Sequence, residues 1–213
     1  MTIDVTTNKF TKQYERIIKM KNIQILLIVL LFSITVSAQT KWTVDKAHTK
    51  VQFSVAHMVI SDVTGNFRNF DAYLETNGDD FENAKIDFWA DVNSINTDNE
   101  GRDKHLKSDD FFNAEKFPKI IFKGKSMKKT GDGKYKLTGD FTMRDVTKEI
   151  TLDVAYRGMV KDSWGNTKAG FKITGEVNRF DYNLKWNGLV ETGGLVVGKT
   201  VSLLIDIELQ KIK

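Results

Sequence analysis

The sequence predicts an all-β fold: an antiparallel arrangement of about eight strands with one short helix around residues 98–110. Three observations carry this. Apolar and polar residues alternate along most of the chain after Gln39. Clusters of turn-forming residues separate the alternating runs. No set of amphipathic helices is available to cover the apolar faces of those strands.

The elements follow in chain order. Val51, Phe53, Val55 and His57 share one strand face, with Gln52, Ser54 and Ala56 on the other. Ile86, Phe88, Ala90 and Val92 alternate with Asp87, Trp89, Asp91 and Asn93. Tyr135, Leu137, Gly139, Phe141 and Met143 form the next inward row, then Ile150, Leu152, Val154 and Tyr156. Phe171, Ile173, Gly175 and Val177 follow, and Val201, Leu203, Ile205, Ile207 and Leu209 close the series. Half-buried strands of this kind suit an antiparallel sheet with one wet face. Asn77-Gly78-Asp79-Asp80, Gly131-Asp132-Gly133, Arg144-Asp145-Val146-Thr147 and Trp164-Gly165-Asn166 supply the turns, so most strands should pair as a meander of hairpins. Thr97 to Asn113 breaks the pattern: it is charged and does not alternate. Asp98 is placed to cap a short helix there, crossing one end of the sheet. Pro118, the only proline, marks entry to the next strand.

Strands with one apolar face each must bury it in a two-sheet sandwich or in a closed barrel. A barrel removes exposed edges, and one of about eight strands can hold a small ligand. The inward row is rich in aromatic residues: Phe53, Phe67, Phe88, Phe122, Phe141 and Phe171. In a β domain taken at random such residues would simply fill a solid core.

Ahead of the strands, Ile23–Val36 is a greasy run preceded by Met20-Lys21-Asn22 and followed by Ser37-Ala38-Gln39. A basic start, an apolar centre of roughly 7–15 residues and small residues at the cut define a secretory signal. Val36 and Ala38 fall at the small-residue positions of a cut before Gln39. The run is shorter than the about 20 apolar residues of a membrane span. Residues 1–38 are therefore expected to be an N-terminal extension and cleavable signal, with Met20 the natural start of translation. Residues 39–213 are expected to form a single domain, periplasmic or secreted, with no stable membrane anchor. Five of the 32 Lys/Arg and two of the 28 Asp/Glu lie in 1–38, so the remainder carries +1 rather than the +4 of the whole chain. That balance gives no support to a nucleic-acid partner. The chain has no cysteine. This excludes disulfides, a lipid-modified N-terminal Cys, thiolate metal sites and a Cys nucleophile.

No motif implies catalysis. Gly193 to Thr200 satisfies the phosphate-loop pattern G-x-x-x-x-G-K-[ST], but that loop needs a helix starting at the Lys, and Thr200 opens a strand pattern instead. The three histidines, His48, His57 and His105, match no metal spacing. His57 reads as a core histidine, or alternatively as a polar anchor at the end of a greasy cavity. Arg102-Asp103-Lys104-His105-Leu106 with Ser108 to Phe112 reads as a structural clamp. In it Arg102 pairs with a nearby acid while Leu106, Phe111 and Phe112 plug a barrel end. Arg179-Phe180-Asp181 invites the same reading. Neither catalytic residues, metal ligands nor cofactors are expected.

The ordered set of motifs resembles the YceI-like family. It runs through Trp42-Thr43-Val44-Asp45 and His48, Val51 to Met58, Val63 to Phe70, Ser94 to Thr97, Arg102 to Leu106, Asp110-Phe111-Phe112, Phe117-Pro118, Gly139 to Met143 and Asn178 to Tyr182. The resemblance implies a lipocalin-like antiparallel barrel that binds long apolar molecules in its lumen: polyisoprenoids, isoprenoid quinones or fatty amides. It also implies export and, commonly, homodimers. Two departures fall in expected turns. Arg144 stands where many members carry Gly, and Asp181-Tyr182-Asn183 replaces a frequent Asp-Phe-Gly. With the resemblance, strand parity nominates Phe53, Val55, His57, Phe67, Phe88, Phe122, Phe141, Leu152 and Phe171 as lumen residues, with His57 meeting a ligand's polar head. The expected role is an envelope carrier, store or scavenger of a long-chain apolar lipid. The alternatives are an enzyme acting on an apolar substrate and a stress-related structural protein of the envelope.

Overall fold

The computed structural model describes residues 39–189 and 194–212, together with Arg16 and residues 18–21. The expected signal run, its cut site and Gly193 lie outside the described residues.

Eleven strand segments make one sheet that closes on itself. They are β1 (Gln39–Val44), β2 (Lys50–His57), β3 (Ser61–Phe67), β4 (Phe70–Asn77), β5 (Asp80–Asp91), β6 (Ile95–Asn96), β7 (Lys119–Gly131), β8 (Lys134–Met143), β9 (Val146–Lys161), β10 (Thr167–Asn178) and β11 (Val197–Lys211). The register shows why the expected count of about eight holds. β1 pairs with β4 and β2 with β3, so β1–β2 and β3–β4 act as two long strands, each broken once, at 45–49 and at Arg68-Asn69. β11 then closes the ring, pairing with β2 over Val201–Asp206 and with β1 over Leu209–Lys211. Every pairing is antiparallel, and closure leaves the long strands no free edge.

The barrel interior follows the alternation. Tyr135, Leu137, Phe141 and Met143 of β8 are buried, as are Leu152 and Val154 of β9 and Phe171 and Val177 of β10. Glycines make room where rings cross a neighbouring strand. A Cβ on Gly65 of β3 would collide with the Phe53 ring of β2, and one on Gly139 of β8 with the Phe122 ring of β7.

The two ends of the barrel differ. One end carries the β4–β5, β7–β8 and β9–β10 hairpins. It is closed by stacked aromatics: Phe81 lies 5.3 Å from Trp42, 4.8 Å from Phe171 and 5.5 Å from Tyr156, centroid to centroid. Trp42 is fully buried, and its Nε1 donates to Thr76 Oγ1 at 3.0 Å. The other end carries the β2–β3 turn, the β8–β9 turn, residues 179–189 and 194–196 and the helix α1 (Glu100–Lys107) in the β5–β7 crossover.

α1 is shorter than expected and capped one residue later. Asp98 adopts a left-handed conformation (φ 56°), whereas Asn99 is extended and its side chain accepts from Arg102 N–H at 2.9 Å. Asn fills the N-cap by the same bond that was expected of Asp98. The phosphate-loop pattern finds no helix either: Lys199 and Thr200 lie inside β11.

Candidate functional site

The open end of the barrel holds an apolar cavity of about 330 Å³. Phe53, Val55 and His57 of β2 form one wall, and Val196 and Val197 at the start of β11 form the next. Gly101, Arg102, His105 and Leu106 of α1, with Phe111 and Trp186, form the cover. Beneath it lies a smaller space of about 80 Å³, sharing Phe53, Val55, Leu106, Phe111 and Val197 and adding Phe67, Phe141 and Leu203. A third space of about 60 Å³, lined by Phe171, Leu137 and Leu209 among others, lies toward the closed end.

The cover is held by three polar devices. The first is in the crossover. Thr97 donates through its backbone N–H (2.9 Å) and hydroxyl (2.6 Å) to the buried Asp103 carboxylate. Arg102 in turn donates from Nε to Thr97 Oγ1 (2.7 Å) and from Nη2 to the Thr97 carbonyl (2.8 Å). The acid expected to pair with Arg102 is therefore joined to it through Thr97. α1 places Asp103 on the buried side, where it reaches Thr97 directly, and Arg102 meets the same residue from beside the cavity.

The second device is Arg144. It sits at φ 53°, a left-handed position that suits Gly. Its guanidinium reaches the segment after α1, donating to the carbonyls of Phe111 (2.8 Å), Asp109 (3.1 Å) and Asn183 (3.2 Å) and pairing with the Asp109 carboxylate (3.1 Å). Asn183, the other departure from the family pattern, is also left-handed (φ 62°), which Asn tolerates. Its amide donates to Asp145 Oδ1 at 3.1 Å.

The third is Arg179, 2% exposed. It donates to the carbonyls of Leu184 (2.6 Å), Trp186 (2.8 Å), Val197 (2.9 Å) and Gly198 (2.9 Å), and stacks on Phe180 at 4.3 Å. Burial lowers its pKa from the ordinary arginine value. An arginine remains charged in proteins, so the site is a cation held by backbone dipoles.

His105 completes the cover. Its ring lies edge-on to Phe111 and to Trp186, 5.0 Å from each, and its Nε2 is 2.9 Å from Asp110 Oδ2. Leu106, Phe111 and Phe112 do plug this end: Leu106 and Phe111 line both upper spaces, and Phe112 packs 6.3 Å from Phe67.

Residues 42–209 match the YceI-like domain model. The chain belongs to the YceI-like family. A UPF0312 protein of Staphylococcus aureus (strain N315) is 39% identical over 170 residues, covering 79% of this chain and 96% of that protein. The crystal structure of a Campylobacter jejuni YceI protein shares 34% identity, with a TM-score of 0.65 over 80% of this chain and 98% of that one. A polyisoprenoid-binding domain from Saccharophagus degradans has the same fold at 14% identity, with a TM-score of 0.60 over 79% of this chain and 97% of that one.

The YceI-like barrel distributes the nominated lumen residues unevenly. Phe53, Val55 and His57 line the upper cavity, Phe53, Val55, Phe67 and Phe141 the space below it, and Phe171 the lowest. Phe122 and Leu152 are buried in the core, and Phe88 is half-buried against it; none of the three lines these spaces. The His57 carbonyl anchors the β2–β3 turn, accepting from Ile60 N–H (3.2 Å) and Ser61 Oγ (3.4 Å), while the residue lines the cavity. Sequence reasoning passed over Trp186, Val196 and Val197 as site residues and read His105 and Phe111 as structural only. The Arg102–Leu106 motif already marked the cover. Nothing in residues 184–189 or 194–196 announced that Trp186 and Val196 would line the mouth.

One cluster away from the cavity offers metal-binding atoms: Asp45, His48 and Glu208. The Lys168 ammonium already lies 2.5 Å from Asp45 Oδ2 and 3.3 Å from Glu208 Oε1. The hydrogen bond to Lys168 is the main cause of an Asp45 pKa lowered to about 2. This is an ion-pair network at the break between β1 and β2. Among the described residues no helix is long and apolar enough to cross a membrane.

Proposed function

We propose that this YceI-like protein binds a long-chain apolar lipid, of the polyisoprenoid, isoprenoid quinone or fatty amide type, in the cavity at the open end of its barrel. We further propose that it serves as an envelope carrier, store or scavenger, periplasmic or secreted. The observation that carries the reading is the cavity: about 330 Å³, walled by Phe53, Val55, Phe111, Trp186 and Val197, with no carboxylate among its described lining residues. Ligand pockets run from roughly 300 Å³ upward and combine apolar walls with a few polar groups. Here His57, Arg102 and His105 are those groups, and they suit a head that accepts hydrogen bonds. Each buried methylene contributes about 0.8 kcal/mol, so a chain of about a dozen carbons binds tightly without specific chemistry. The name of the Saccharophagus degradans neighbour supports the ligand class. The basic start, apolar centre and small-residue cut around Ile23–Val36 support the location.

The test is extraction of the purified protein with organic solvent, followed by mass spectrometry, and titration of the stripped protein with a fluorescent prenyl probe. A stoichiometric long-chain lipid and saturable probe binding are expected. An empty protein that also fails to take up the probe refutes the proposal.

A further inference from the structure

The turn that borders the cavity mouth is built against local preference. β2 and β3 are joined by Met58-Val59-Ile60. Met58 (φ 53°) and Val59 (φ 68°) are both left-handed, as the central residues of a type I′ turn must be. Asn-Gly is the usual choice at such positions, and a β-branched residue there is an outlier. Folding gives no reason for apolar side chains in this turn, because they are not buried. Val59 is 75% exposed, Ile60 86% and Met58 42%.

The turn is continuous with the mouth. Its preceding residues, Ala56 and His57, line the cavity, and Met58 N–H donates to the carbonyl of Val196, another lining residue, at 2.9 Å. Val196 N–H donates to the Gly188 carbonyl at 2.9 Å, and the next residue, Leu189, is 73% exposed. Among the described residues of the barrel domain, four of the eight exposed large hydrophobics thus sit on two segments joined through Val196 at the rim of one opening.

We propose that this rim, Met58-Val59-Ile60 with Leu189, is a bilayer-docking tip: it inserts into the interfacial layer of a phospholipid membrane and sets the cavity mouth against the acyl chains. The inference rests on the apolar-ligand reading above. A water-insoluble ligand must pass between membrane and cavity, and a mouth pressed on the bilayer spares it the aqueous step. A narrow convex turn suits that occupant better than a second copy of the chain. A few side chains on a turn fall far short of the roughly 800 Å² per partner that a standard protein interface buries, whereas attachment to a bilayer surface scales with the apolar area inserted and needs no minimum partner footprint.

The test uses the full chain, whose lack of cysteine makes an introduced one unique. Ile60→Cys carries an environment-sensitive fluorophore. Ser163→Cys, in the β9–β10 hairpin at the closed end, carries the same label as a control. Both are mixed with vesicles of phosphatidylethanolamine and phosphatidylglycerol. A blue shift and intensity gain at position 60 and not at 163 is expected. A second arm loads the prenyl probe into wild type and into the combined variant Met58→Ser, Val59→Asn, Ile60→Ser, then follows transfer to vesicles. The variant should hold the probe as tightly as wild type but transfer it about tenfold more slowly, equivalent to about 1.4 kcal/mol of lost membrane attachment. Equal transfer rates, or no signal at position 60, overturn the docking tip while leaving probe binding intact. Probe-free wild type would instead overturn the ligand reading. A fluorescence change that appears without vesicles and grows with protein concentration assigns the tip to self-association and also overturns the proposal.

Discussion

Arg144 combines a backbone penalty with a side-chain latch, and two substitutions separate them. At φ 53° a residue with a Cβ costs about 1–2 kcal/mol relative to Gly. Against that stands the latch. One guanidinium nitrogen serves the carbonyls of Phe111, Asp109 and Asn183, at 2.8, 3.1 and 3.2 Å. With two protons it makes the equivalent of two bonds, each worth about 1.5–3 kcal/mol when the donor is charged. The Asp109 carboxylate is 80% exposed, so its ion pair adds at most about 1 kcal/mol. Arg144 Nε is buried without a partner, which takes back about 1–3 kcal/mol. The latch is therefore worth about 3 kcal/mol. Arg144→Ala removes it and keeps the penalty, so a loss of about 3 kcal/mol is expected. Arg144→Gly removes both. After allowing about 0.5–1 kcal/mol for the greater freedom of an unfolded glycine, it should be about 1 kcal/mol more stable than the Ala variant. Urea unfolding followed by tryptophan fluorescence measures both. Because the latch holds Phe111 against the cavity, both variants should also weaken prenyl-probe binding. If the Gly variant is less stable than the Ala variant by the full glycine freedom of about 0.5–1 kcal/mol, the left-handed backbone carries no strain. If both lie within about 0.5 kcal/mol of wild type, the latch argument fails.

Other perturbations address the remaining devices. Arg179→Met leaves four carbonyls short of a donor around a site 2% exposed, and a loss of about 3 kcal/mol is expected, with faster amide exchange across 184–188 and 196–198. Unchanged urea midpoints would show those carbonyls to be satisfied otherwise. Asp45 has its folded pKa depressed to about 2, below the unfolded value of about 3.9. Its contribution, about 2 kcal/mol, is thus present above about pH 4 and is lost as pH falls toward 2. Asp45→Asn should remove it at neutral pH and flatten the acid limb of the stability profile. An acid limb identical to wild type would refute the assignment. Gly65→Val forces the Phe53 ring off its seat and into the upper cavity, so probe affinity should fall about tenfold or more while the protein still folds. An unaltered affinity would place the ligand elsewhere. Val59→Gly relieves the left-handed turn and should raise stability by about 1 kcal/mol in the same urea assay, and a destabilised variant would contradict the strain.

Strand parity made most of the barrel legible, and the reason is physical. A closed sheet has one inside, so the period-two pattern assigns each strand residue a face without any knowledge of its neighbours. That is why Tyr135 to Met143 and Leu152 to Val154 turn inward as the alternation predicts. Parity is silent about how full the inside is. Phe122 and Phe53 share the inward face, yet one packs against Gly139 in the core and the other walls a cavity. The difference comes from what stands opposite across the lumen, and no local pattern records that. The turns behave in the converse way. Arg144 and Asn183 were visible as departures from a family pattern that favours Gly, and both occupy left-handed positions. The departure located the backbone geometry correctly but could not show that the arginine's length would be used to hold Phe111.

The position of the cavity follows from these same constraints. At the closed end, three hairpins and the Phe81, Trp42, Tyr156 and Phe171 rings fill the tapering space. At the open end the strands run out before the lumen does. β5 stops at Asp91, β3 finds only two residues of β6 to pair with, and a single eight-residue helix must span the gap. Such a helix presents too few large side chains to fill a barrel mouth, and Gly101 on its inner side contributes none. Arg102, Arg144 and Arg179 add polar ties to the apolar packing of Phe111, Tyr182, Leu184 and Trp186. Each donates to backbone carbonyls of a neighbouring loop segment. Carbonyl latches of this kind fix a cover in place without filling the space beneath it. A cover pinned through its backbone in this way keeps its place over the lumen while Leu106, Phe111 and Trp186 on its underside wall the cavity.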